Sequence, residues 1–120
     1  MLEVKELQYF VVCADLSSFS RAAEVLYTTQ PNVSKVIRSL EEKLGFEVFE
    51  RDNRGIKLTR RGRQAYEYAG KILEQNASLH RYIRLMTGKN SAYQAIPVRG
   101  WHGALQIITS NILMRMSDII

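Results

Sequence analysis

One cysteine, Cys13, is all that 120 residues offer, which excludes an internal disulfide and a multi-thiolate metal site. Two histidines, His80 and His102, stand too far apart for a His-rich metal site. With two prolines, seven glycines and no low-complexity tract, collagen-like, mucin-like and disordered chains are excluded as well. Long apolar runs are also missing. The longest, 9–14, falls far short of a membrane span, and acidic Glu3 and Glu6 precede it where a signal peptide would be basic. No Ser-His-Asp set, glycine-rich phosphate loop or carboxylate pair is found, so no enzyme is expected. Together these absences predict a cytoplasmic protein with its true N-terminus, no cofactor, no metal and no membrane partner. What is present is ordinary for a globular chain: 46% apolar and 24% charged residues in 13.8 kDa. That is room for one compact domain and a modest extension.

The placement of the net charge of +5 matters more than its size. Residues 51–63 hold six basic side chains (Arg51, Arg54, Lys57, Arg60, Arg61, Arg63) and one acid, Asp52, a local excess of +5. Elsewhere eleven bases meet eleven acids and cancel. A charge run is ordinarily no more than a solvated face. Here the whole excess is focused on thirteen residues of an otherwise neutral chain, which favours a polyanionic partner.

Leu7, Phe10, Val11 and Ala14 follow the i, i+3, i+4, i+7 spacing of one helix face and predict a first helix over 4–16. Ser17-Ser18 breaks it, and Ser18 is a good N-cap for a second helix with Phe19, Ala22, Ala23 and Leu26 as its buried stripe. The small alanines allow another helix to cross closely. Tyr27-Thr28 reads as a turn, Thr29 as the N-cap of a third helix, and Pro31 as a first-turn proline whose missing N–H costs nothing. Val33, Val36, Ile37, Leu40 and Leu44 line the inner face, and Gly45 stops the helix. Period-two segments at 47–50 and 55–58 then flank Asp52-Asn53-Arg54-Gly55, a hairpin signature. A helix-turn-helix followed by a basic two-stranded hairpin is a winged helix. The plainer alternative is a small helical core with a surface hairpin.

The polar face of the third helix carries Thr29, Gln30, Asn32, Ser34, Lys35 and Arg38. Recognition helices place their N-terminal half in the DNA major groove. There, Gln and Asn amides pair with adenine, and Lys or Arg reaches guanine O6 and N7. Pro31 either packs on a thymine methyl or sets the helix entry. Exposed helices are polar anyway, so this face gains weight only beside the turn, the wing and the focused charge.

These residues resemble the DNA-binding domain of LysR-type bacterial transcriptional regulators. The match runs through Ser18-Phe19-Ser20-Arg21-Ala22-Ala23, Leu26, the stretch Thr29-Gln30-Pro31-Asn32-Val33-Ser34-Lys35, Ile37, Leu40-Glu41 and Leu44-Gly45. It continues in Val48-Phe49-Glu50-Arg51, Arg54-Gly55-Ile56, Leu58-Thr59 and Gly62, ungapped from residue 1 to about 87. The resemblance implies a mainly α fold, a winged helix-turn-helix followed by a long dimerisation helix. It also implies sequence-specific binding of double-stranded DNA by a dimer that regulates transcription. Positions matching Gln30, Pro31, Ser34 and Lys35 lie at the major groove in that family. Those matching Ser18 and Arg21 approach phosphates, and the one matching Arg54 reaches the minor groove. Two departures stand out. Asn32 replaces a usual alanine and offers an extra base contact, and Arg60-Arg61 replaces Pro-Ala or Pro-Glu, adding phosphate contacts. Arg51, from the same basic stretch, joins the expected DNA-binding set.

From residue 59 to about 86 the pattern predicts one proline-free helix about 42 Å long. Ala65, Ile72, Leu79 and Met86 recur every seven residues, with Ala69, Asn76 and Ile83 four later in each heptad. Such a repeat is a coiled-coil seam in which a polar Asn76 fixes register. The alternative is that the stripe packs back on its own domain. The family counterpart is a linker helix pairing antiparallel with its mate, so a homodimer is expected, with a higher oligomer in a longer form. Tyr66, Tyr68 and Tyr82 are assigned to seam packing, His80 to a structural or solvated role, and Cys13 to a semi-buried one. The chain therefore divides into a winged helix-turn-helix at 1–58, a linker helix at 59–87 and, at 88–120, the start of a truncated effector-binding domain. In that last part 95–98 reads as a strand. Leu105, Ile108, Ile112, Leu113, Met116 and Ile119 form a helical stripe, and Trp101 and His102 are loop or packing residues. No small-molecule ligand is expected for so short a tail. A second functional reading is a truncated regulator that forms inactive mixed dimers with longer relatives.

Overall fold

The computed structural model of the protein describes residues 1–88, ordered as α1 (Val4–Leu16), α2 (Phe19–Val25), α3 (Gln30–Leu44), β1 (Phe49–Asp52), β2 (Gly55–Leu58) and α4 (Arg60–Thr87). The strand expected at 95–98, Trp101, His102 and the stripe from Leu105 to Ile119 lie outside the described residues.

The helix boundaries follow from local chemistry. The Ser18 and Thr29 hydroxyls accept the N–H groups of Arg21 (3.2 Å) and Asn32 (3.3 Å), satisfying donors that have no partner inside the helix. α3 ends on Gly45 at φ +82°, a left-handed conformation that glycine adopts without strain. α1 opens with a capping box between Glu3 and Glu6.

Glu6 also does something its position in the sequence does not reveal. Only 4% exposed, it accepts hydrogen bonds from Ser39 Oγ (3.0 Å) and Lys43 Nζ (2.9 Å), tying the start of α1 to the end of α3. Burial opposes its ionisation, but these bonds, the Glu3 N–H and the charge of Lys43 together hold the carboxyl below its usual range. Phe10, Val11, Val12, Val33, Ile37 and Leu40 fill the centre between the three helices. Phe10 and Phe19 both meet Phe49 edge-on, at centroid distances of 5.5 and 5.8 Å.

The wing is a two-stranded antiparallel hairpin with Phe49 opposite Leu58 and Asp52 opposite Gly55. Its first strand begins at Phe49, two residues later than the sequence pattern places it. Val48 is taken out of the ladder because its N–H donates to Glu41 of α3 (2.8 Å) and its carbonyl accepts from Thr59 (3.0 Å).

α4 presents two faces. Ala69, Gly70, Leu73 and Ala77 are buried against the head, and the small Ala69, Gly70 and Ala77 let the long helix lie close to it. Adjoining them is a second apolar stripe that no other described residue covers, including Ile72, Leu79, Ile83 and Met86. Of the residues assigned to the heptad seam, Ala69 is covered by its own chain, Ala65 and Asn76 are half-buried, and the other four are exposed. The seam pattern did not reveal that Ala69 turns inward. Ala69 sits on the border between the two faces, and a seven-residue repeat alone does not say which side of a helix meets which partner.

Candidate nucleic-acid interface

Along α3, Gln30, Ser34 and Arg38 fall at i, i+4 and i+8 and share one row, with Pro31 and Lys35 in the adjoining row. All are exposed except Ser34, which is half-buried. Pro31 and Lys35 lie opposite the buried Val33, Ile37 and Leu40, and the Gln30 row lies to one side of them, so packing the core leaves these groups toward solvent. Asn32 is different. Its amide nitrogen donates to Thr28 Oγ1 (2.9 Å) and the side chain is half-buried, which ties it back against the turn. Thr29 is exposed, with its hydroxyl committed to the cap.

Ser18 and Arg21 stand at the start of α2, where the Ser18 hydroxyl caps the helix and Arg21 points to solvent. At the wing tip the Arg54 N–H donates to Asp52 Oδ1 (2.8 Å), shaping the turn and leaving the Arg54 side chain exposed. Arg60 is exposed in the first turn of α4, where no acidic residue accompanies it. Arg21, Lys35, Arg38, Arg54, Arg60 and Arg63 have no ion-pair partner among the described residues. Arg63 belongs to the same basic stretch, and its exposure in the first turn of α4 with Arg60 adds it to the candidate set.

Two of the expected cations are engaged elsewhere. The Arg51 guanidinium lies 3.6 Å from Glu41 Oε1 and 5.1 Å from the Phe19 ring centroid, bracing the wing against α2 and α3. Arg61 stacks over Phe46 at 5.8 Å and borders an apolar groove of about 380 Å³ whose walls include Leu2, Leu7, Ala65, Tyr68 and Ile72. Lys57 pairs with Glu50 across the hairpin (3.4 Å).

Other titratable groups point away from reactive chemistry. Burial pushes the Cys13 thiol up to about 12, so no reactive thiolate forms there near neutrality. Tyr66 leaves the seam altogether: its hydroxyl donates to Asp15 Oδ1, and burial, that bond and the carboxylate charge all push the phenol up. Among the described residues no helix is long and apolar enough to cross a membrane, and no cluster of three or more metal-binding side chains occurs.

Three helices, the tight turn before an exposed polar α3 and a basic hairpin make this a winged helix-turn-helix. The sequence profile of the family described as "Bacterial regulatory helix-turn-helix protein, lysR family" matches residues 4–63. The chain belongs to the LysR family of bacterial regulators. It is 42% identical over 72 residues to the HTH-type transcriptional regulator BenM of Acinetobacter baylyi, covering 60% of this chain and 24% of BenM. It is 40% identical over 90 residues to the regulator BudR of Klebsiella aerogenes, covering 74% of this chain and 63% of BudR. The matched region thus spans about a quarter of BenM and under two thirds of BudR. Among solved structures, the CbnR DNA-binding domain in complex with DNA aligns at a TM-score of 0.68 and 33% identity, over 71% of this chain and 98% of that one. The BenM DNA-binding domain on catB site 1 DNA aligns at 0.66 and 36%, over 72% and 95%.

Proposed function

We propose that this chain binds double-stranded DNA sequence-specifically as a homodimer and so regulates transcription in the bacterial cytoplasm. One observation carries the reading: α3 displays a row of exposed polar side chains suited to reading bases, flanked by cations on α2, the wing tip and α4 that have no acidic partner among the described residues. The DNA complexes of the CbnR and BenM domains support it. In this reading Gln30, Pro31, Ser34 and Lys35 face base edges, and Thr29 and Arg38 extend the same surface. Ser18, Arg21, Arg60 and Arg63 hold phosphates, and Arg54 enters the minor groove. Asn32 shapes the entry of α3 more than it reads bases. Arg51 and Arg61 act by bracing the wing and the groove. Ala65, Ile72, Asn76, Leu79, Ile83 and Met86 meet their counterparts on a second α4, and Ala69 borders that contact.

Gln30 and Arg60 separate the two kinds of contact. Gln30→Ala is expected to weaken a duplex recovered by in vitro selection by about 1–3 kcal/mol while leaving scrambled DNA nearly unchanged. Arg60→Ala is expected to weaken both alike and lower the salt slope by about one. Fluorescence anisotropy on labelled duplexes checks both. Equal losses for Gln30→Ala on the two sequences would mean that it touches only backbone.

A further inference from the structure

Asp15 occupies the last turn of α1, where the helix carries no basic residue and its dipole disfavours a negative charge. Tyr66 of α4, 51 residues on, donates its hydroxyl to Asp15 Oδ1. The second oxygen, Oδ2, is buried and accepts no hydrogen bond among the described residues. An ionised carboxylate so placed is poorly solvated on one side. Its surroundings are apolar: Phe10 meets the Tyr66 ring edge-on at 6.3 Å. Arg21 and Glu24 of α2 and Arg63 and Glu67 of α4 are exposed, Lys57 of β2 pairs with Glu50, and Lys43 of α3 pairs with Glu6 at the other end of α1. None of them bonds to Asp15.

Two residues further, the Ser17 carbonyl accepts the N–H of Ile56 in the wing (3.4 Å), and a Cβ at Gly55 would stand 2.8 Å from the same oxygen. The end of α1 therefore touches both the wing and α4. The first half of α4 is seated on the head, while its second half carries the uncovered stripe. In the dimer proposed above, the angle at this seat would set how far apart the two heads are held.

We propose that Asp15 and Tyr66 form a proton-dependent seat between α1 and α4, which fixes the winged head on the dimer helix and tightens specific DNA binding when Asp15 takes up a proton. The proposal rests on the DNA-binding reading above. Burial pushes the Asp15 carboxyl up to about 6, against the pull of the Tyr66 bond, from an ordinary value of 3.8. The folded chain thus keeps a proton on Asp15 that the unfolded chain has already released. Stability falls as pH rises through the window between those two values, and the loss is complete above the upper one. Above that window the charged, half-satisfied carboxylate loosens the seat, and the spacing of the two heads becomes less defined.

The test uses the full 120-residue chain with its Asp15→Asn and Tyr66→Phe variants, melted between about pH 4.5 and 7.5 and titrated with a selected duplex and a scrambled one. Asp15→Asn should melt above the parent at neutral pH, with the gap closing on acidification. The parent should bind the selected duplex about fivefold more tightly in acid than at neutrality, a coupling of ordinary size. Asp15→Asn should bind at neutrality as the parent does in acid, without responding to pH, and the scrambled duplex should show no such difference. Tyr66→Phe removes the bond that lowers the carboxyl, so its melting response should move to higher pH. Parallel melting curves for parent and Asp15→Asn, or equal pH dependence of their affinities, would overturn the proposal. If Asp15→Asn does not fold, an unmoved midpoint in Tyr66→Phe overturns it. A parent that binds no duplex at any pH sinks the DNA-binding reading and the affinity half of the proposal, whereas the melting gap still decides the seat.

Discussion

Leu79→Asp is expected to convert the dimer to a monomer and to lower affinity for a selected duplex about a hundredfold or more. Leu79 is 55% exposed within the chain and contributes nothing to the core of the head, so the monomer should fold and melt as before. In the proposed dimer the same side chain would meet an apolar partner surface, where an introduced carboxylate has neither solvent nor a counter-charge. Loss of affinity follows because the second head then no longer binds as part of one molecule, and the effective-concentration gain of linked sites disappears. Light scattering gives the oligomeric state and anisotropy the affinity. An unchanged dimer would place the contact on another surface of α4. An unchanged affinity in a proven monomer would show that each head binds alone.

The second large effect concerns the joint between wing and α4. Gly62 is buried in the first turn of α4, and a Cβ there would stand 2.1 Å from the Val48 carbonyl oxygen and 2.9 Å from its carbon. That carbonyl cannot retreat. It accepts the Thr59 N–H at 3.0 Å, while the Thr59 hydroxyl donates to the Glu47 carbonyl (2.8 Å) and accepts the Gly62 N–H (2.9 Å). Gly62→Ala must therefore push α4 off the base of the wing. The expected loss is about 3 kcal/mol, at the upper end of ordinary overpacking. In a domain of this size that lowers the melting temperature by more than about 10 °C. A fall of only a degree or two would mean that the joint has slack the present geometry lacks.

The elements that sequence reasoning placed well are those set by near neighbours. Ser18, Thr29 and Gly45 cap α2 and α3 where the pattern puts them, because capping involves residues three or four apart. The turn of the wing was equally legible, since Asp52 to Gly55 carries its own chemistry. What escaped depends on distant partners. Glu41 captures Val48 and delays β1 by two residues, and the same Glu41 pairs with Arg51 of the wing. Charge alone makes Arg51 and Arg54 look alike; only the position of Phe19 and Glu41 separates them. Glu6 meets Ser39 and Lys43 across 33 and 37 residues, and Asp15 meets Tyr66 across 51. No periodicity encodes such pairs. Tyr66 reads as a seam residue because its place on a long helix is all the sequence offers, whereas its hydroxyl has a half-buried acceptor on α1.

Sequence-specific binding of duplex DNA by a dimer is tested most directly by titrating the chain with a selected duplex and its scrambled counterpart at several salt concentrations. With Arg21, Lys35, Arg38, Arg54, Arg60 and Arg63 lacking an acidic partner among the described residues of each head, the proposed dimer should neutralise six or more phosphates. The logarithm of affinity should then fall with the logarithm of salt with a slope of about −5 or steeper on both duplexes. The selected duplex should remain tighter by about a thousandfold at every salt concentration. A slope near zero, or equal affinity for the two duplexes throughout, would contradict the account.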